Sequence, residues 1–160
     1  MTASTSKKVV IYRFDREPVE GFVNPQDWLG SASLEVITPS GTVSLFPYEE
    51  VKLVCFVRDF ESADWKTERR RFVSRPKTEG LWVQASFKDN DLIEGILPND
   101  LSQTETQGFL FAPPDASSNS QRLFIPRTAL RELKVLGVIG VAKPRKPPAS
   151  AMTEQISLFD

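Results

Sequence analysis

A repeated phrase constrains this chain more than any other feature. The stretch VVIYRFDREPVEGFV, Val9 to Val23, lies against WVQASFKDNDLIEGIL, Trp82 to Leu97. Each reads as strand, acidic turn, strand, with Phe14 aligned to Phe87 and Glu20-Gly21 aligned to Glu94-Gly95 after one inserted residue. The likeness continues from SLEVITPSGTVSLFPYEEVKLVCFV into GFLFAPPDASSNSQRLFIPRTALRELKVLGV, where strands end at Phe46-Pro47 and Ile125-Pro126. A period of about half the chain means that one supersecondary unit is built twice. The fold therefore has to be one that a unit of this size, with five short strand-like runs, can form.

Within each unit the apolar residues alternate, as Val83, Ala85 and Phe87 do against Gln84, Ser86 and Lys88, which gives a strand one buried face. Short strands broken by Asp, Gly, Asn and Pro predict an all-β chain: a tandem repeat of two small five-stranded antiparallel barrels of the SH3 or Sm kind, joined by a short helical connector. Gly21 and Gly95 fall inside strands, where glycine marks a bulge or a bend. The phrases PYEE and PRTA place Pro where its missing N–H costs nothing, and predict single helical turns before the last strand of each unit. Cys55, inside VKLVCFV, reads as a core residue in a reducing compartment.

These boundaries divide the chain into a disordered start (1–6), a first barrel (7–60), a basic connector (61–80), a second barrel (81–140) and a flexible tail (141–160). The 160 residues contain no His and one Cys, which excludes Ser-His triads and His or Cys zinc sites within one chain. Net charge is -1, without the basic excess of a dedicated nucleic-acid binder. The basic residues concentrate in the connector, where 61–79 carry 6 Lys or Arg against 4 acidic residues, while 7–60 and 81–139 are each net acidic. Arg69, Arg70, Arg71, Arg75 and Lys77, with Phe72 and Trp65 beside them, form a candidate phosphate-contacting patch. Ser62 or Asp64 is placed to cap a short helix from Lys66 to Arg71, and Phe60, Trp65 and Phe72 would anchor the connector across a barrel.

The acidic residues Asp15, Glu17 and Glu20, and their counterparts Asp89, Asp91 and Glu94, are the candidates for acid–base or metal chemistry. Their recurrence at both hairpins argues for turn formation instead, and the alternation points Glu20 and Glu94 to solvent. No catalytic residue, metal site or cofactor is expected, and the chain reads as a non-enzyme. The start MTASTSKK leads into charged residues before any signal-length apolar run, and no run reaches the roughly 20 residues of a membrane helix. A cytoplasmic protein without membrane contact is the expectation.

The phrases EGFVNP, VKLVCFVRDF, FKDNDLIEG, LFAPPDASSNSQRLFIP and LKVLGVIG resemble a bacterial small-barrel domain family without assigned activity, often found beside PilZ domains. That resemblance covers about Lys7 to Gly140 and implies a small-barrel fold with no catalytic residues to transfer. PilZ domains bind a cyclic dinucleotide through RxxxR and a D/N-x-S-x-x-G motif. Arg71 and Arg75 have the first spacing, but DASSNSQ lacks the glycine of the second. A nucleotide-sensing module is thus the third reading.

The sharpest functional signal is Gln155-Ile156-Ser157-Leu158-Phe159, which follows the Pro- and Lys-rich VAKPRKPPASAMTE. It resembles the Gln-Leu-Ser/Asp-Leu-Phe peptide with which bacterial polymerases and repair proteins dock on the DNA sliding clamp, Ile156 standing for Leu. The residue types suit docking, because a Gln amide offers donors and an acceptor to a polar subsite and a Leu-Phe pair fills an apolar pocket. The first reading is an adaptor that binds the clamp through these five residues. The second is an Sm-like binder of RNA or single strands that uses the basic connector.

Overall fold

Ten strands follow one another, described in a computed structural model for residues 6–61, 70–100, 102, 104–115 and 119–140. In the first half they are β1 (Lys7–Arg13), β2 (Val19–Val23), β3 (Ser33–Ile37), β4 (Val43–Pro47) and β5 (Val51–Val57). The second half supplies β6 (Gly80–Phe87), β7 (Leu92–Leu97), β8 (Gly108–Phe111), β9 (Ser120–Pro126) and β10 (Leu130–Ile139). The chain is all-β. Single 3-10 turns at Tyr48–Glu50 and Arg127–Ala129 stand where PYEE and PRTA predict them, each after a proline with φ near -60°. No helix among the described residues is long and apolar enough to cross a membrane.

The strands form a seven-stranded sheet in the order β4-β3-β2-β1-β5-β9-β8 and a three-stranded sheet in the order β10-β6-β7. Neither sheet closes on itself. Both contain the hairpin-and-return of the repeat, since β1 pairs with β2 and β5, and β6 pairs with β7 and β10. An isolated bridge between Ile96 and Ala112 brings the end of β8 to β7, as the single Phe22–Ile37 pair joins β2 to β3. The repeat therefore recurs as a pairing order, 4-3-2-1-5 followed by 9-8-7-6-10, and the β5–β9 ladder links the two halves.

The β5–β9 ladder explains why VVIY and VKLVCFV are apolar on both faces. Val9, Ile11, Val51 and Val54 belong to one buried cluster with Trp28, Leu34 and Val36, whereas Val10, Tyr12, Leu53, Cys55 and Val57 belong to another with Val83, Phe87, Phe111 and Ile125. Central strands covered on both sides lose the polar alternation that edge strands keep. Phe124, fully buried on β9, crosses into the first cluster and meets Trp28 edge-on at 5.2 Å. Thr128 Oγ donates to the Tyr48 carbonyl at 3.0 Å and ties the two 3-10 turns together.

Two details of the sequence reading change. Gly21 and Gly95 lie in regular register opposite Val9 and Val83, with no bulge at either. A Cβ on Gly21 would stand 2.5 Å from Val36 Cγ1 and one on Gly95 would stand 2.7 Å from Phe111 Cδ2, so it is the close pass of the next strand that requires glycine. Counting from those two pairs, Phe87 corresponds to Arg13 and not to Phe14. Phe87 is fully buried, while Phe14 is half-buried at the rim of the same cluster with the Lys88 ammonium 5.5 Å from its ring.

Candidate functional site

The turn between β6 and β7 is built by its own acids. The Phe87 N–H donates to the Asp91 carbonyl and the Asn90 N–H to the Phe87 carbonyl, and Asn90 takes φ 72°, a left-handed value that Asn tolerates. Asp89 Oδ1 accepts the Asp91 N–H at 3.1 Å. Lys52, at the irregular step of the β1–β5 ladder, places its ammonium 2.8 Å from both Asp89 and Asp91. Burial alone would raise the Asp89 carboxyl, but the Lys52 hydrogen bond and charge, together with the Asp91 N–H, hold it below its ordinary value. These carboxylates already carry structural bonds, which accords with the turn reading.

Glu94 corrects that reading in one respect. It is buried, not directed to solvent, and only its counterpart Glu20 is exposed. Glu94 Oε1 accepts from the Phe72 N–H and from Trp82 Nε1, each at 3.1 Å, while its own N–H donates to the Arg70 carbonyl at 2.7 Å. The connector passes over this face of β6 and β7, so a position that alternation assigns to water is covered by the chain itself. Phe72 packs edge-on against Trp82 at 6.2 Å, and Phe60 against Phe22 at 5.6 Å.

The basic candidates separate. Arg70 Nη1 donates to Asp91 Oδ1 at 2.7 Å and is partly covered. Arg75 Nη2 donates to the Val138 carbonyl at 3.2 Å and is otherwise exposed, as are Arg71 and Lys77. A shallow groove of about 250 Å³ runs among Phe72, Val73, Arg75, Pro76, Lys77 and Pro114. Arg69, Trp65, Ser62, Asp64 and the N-terminal part of the Lys66–Arg71 helix lie outside the described residues, and Arg70 and Arg71 are not helical. The five residues Gln155, Ile156, Ser157, Leu158 and Phe159 also lie outside them.

A second concavity lies at the junction of the halves. A groove of about 490 Å³ is lined by Lys7, Trp28, Phe56, Glu105, Leu110 and Arg122. Aromatic walls beside two cations and a carboxylate suit a flat or apolar group with polar substituents. Its parts come from β1, β5, β8, β9 and the loops after β2 and β7, so no local spacing announces it.

No group of His, Cys, Asp and Glu placed to hold a metal ion occurs among the described residues. No curated protein and no solved structure matches the chain. Residues 5–137 match a family of unknown function (DUF6982), and the chain belongs to that family.

Proposed function

We propose that this protein is a non-catalytic cytoplasmic adaptor, two copies of one strongly bent β unit, that docks on the DNA sliding clamp through Gln155, Ile156, Ser157, Leu158 and Phe159. The observation that carries the reading is the peptide itself, four of whose residues match the docking pattern, set beyond the last strand behind a Pro-rich spacer. The body supports it as a scaffold. The acids that could have done chemistry at the second hairpin hold Lys52, Arg70, the Phe72 amide and Trp82. Binding of the full chain to a purified clamp from the same organism, measured by calorimetry, tests the reading. Losing a buried aromatic anchor costs about 2 kcal/mol or more, roughly thirtyfold in affinity. Leu158→Ala with Phe159→Ala should abolish binding and Gln155→Ala should weaken it. No affinity of the unaltered chain for the clamp refutes the proposal.

A second reading, binding of single-stranded nucleic acid, is favoured by the exposure of Arg71, Arg75 and Lys77 around the groove beside Phe72. Such binding should weaken steeply with salt, and replacing these three residues by Ala should flatten the dependence. Binding indifferent to the triple change excludes it.

A further inference from the structure

Among the described residues both ends of the strand order are open, and they carry most of the exposed large apolar side chains. On β4, which ends the seven-stranded sheet, Val43 is 59% and Leu45 64% exposed; on β10, which ends the other, Val135 and Val138 are each 55% exposed. An unguarded apolar edge is a template for another strand. The segment Val43–Phe46 has neither a charge nor a proline to prevent pairing.

The chain itself shows what such an edge accepts. β10 is the counterpart of β5, because Val83 pairs with Gly95 and Val135 as Val9 pairs with Gly21 and Phe56. Even the irregular step recurs, skipping Lys52 in one ladder and Arg131 in the other. β9 is likewise the counterpart of β4, since Pro126 closes its ladder with β8 as Pro47 closes the ladder of β4 with β3. Inside the chain these two kinds of strand pair: Val54 with Phe124, Cys55 with Leu123, Phe56 with Arg122. The end strands β10 and β4 are the same two kinds, left without each other.

We propose that β10 of one copy pairs antiparallel with β4 of a second copy of this chain, in the register of the β5–β9 ladder. Transferred residue by residue, that register sets Leu133 opposite Leu45, Lys134 opposite Ser44 and Val135 opposite Val43. The internal counterparts of the first pair, Val54 and Phe124, are fully buried. Exposed Leu45 thus meets half-buried Leu133 and exposed Val43 meets exposed Val135, so that where Phe56 faces Arg122 inside the chain, two valines face each other between copies. Arg75 holds the Val138 carbonyl, beyond the three paired residues. The contact is heterologous, so it repeats into a ring or an open chain. It is independent of the clamp-binding peptide.

Sedimentation velocity of the full chain over a dilution series should show mass above the monomer. Val43→Glu with Leu45→Glu blocks one edge and Val135→Glu blocks the other. Each variant alone should be monomeric, and an equimolar mixture should form a one-to-one dimer from the two intact edges. A wild-type chain that stays monomeric up to high micromolar concentration overturns the proposal. So does association that survives both charged variants, or a mixture that stays monomeric. The substituted positions are more than half exposed, and unchanged circular dichroism will show that folding is intact. Should a charged variant not fold, Val43→Cys with Val135→Cys in one full chain replaces it. That chain should give disulfide-linked multimers under oxidation, whereas the variants carrying only one of the two new cysteines beside the buried Cys55 should give a linked dimer, and only when mixed; absence of these products refutes the register.

Discussion

Replacing Glu94 with alanine tests whether the connector is held on the second hairpin by one buried carboxylate. Glu94 Oε1 accepts two hydrogen bonds, from the Phe72 N–H and the Trp82 indole. A bond to a charged group contributes about 1.5 to 3 kcal/mol when the partner stays dry. Both donors here are half-buried, so water would satisfy part of what alanine abandons, and the lower values apply. We expect a loss of about 2 kcal/mol in denaturant unfolding, or about 4 to 8 °C in melting temperature for a domain of this size. Glu94→Gln keeps the acceptor without the charge and should lose about half as much. The Phe72 amide should exchange faster in the alanine variant, and Trp82 emission should move to the red as its indole meets water. An alanine variant within about 0.5 kcal/mol of the parent, with the Phe72 amide still protected, would refute the claim that this carboxylate pins the connector.

Phe124→Ala should cost about 3 to 5 kcal/mol and lower the melting of both halves in a single transition, because Phe124 leaves its own half to pack on Trp28; two separated transitions would contradict this. Gly95→Ala should destabilise by at least about 1 kcal/mol, since its Cβ would lie 2.7 Å from Phe111 Cδ2 and 3.0 Å from the Ala112 carbonyl oxygen, and a neutral melting curve would show the strands can separate there. A depressed carboxyl stabilises the fold above its unfolded value and ceases to do so as pH falls through its folded value. Stability should therefore fall below about pH 4 through Asp89, and Lys52→Gln should flatten that decline in acid unfolding curves. At neutral pH the same variant should lose less than about 1 kcal/mol through the Asp89 pair, because the Asp89 side chain is 42% exposed.

Much of the fold was legible in the residues because it is local. Alternation in Val83–Phe87, the acidic turn at Asp89–Asp91 and the proline before each 3-10 turn act over a few residues, and the structure shows a strand, a hairpin and two turns there. The repeat was also legible, since it lies in the order of strand-like runs. What alternation could not convey was which surfaces meet. Glu94 sits in a solvent-facing position of its strand, and only the connector lying over it makes it a buried acceptor. Phe124 and Leu45 occupy equivalent places in the two units, yet one is fully buried and the other 64% exposed, because β9 has a strand to pair with and β4 has none on its outer side among the described residues. The groove of Lys7, Trp28, Phe56 and Arg122 exists only because β5 and β9 lie side by side. Period and turn chemistry are short-range properties of the sequence; burial, partner and concavity depend on strands distant along the chain, and only the tertiary structure decided them.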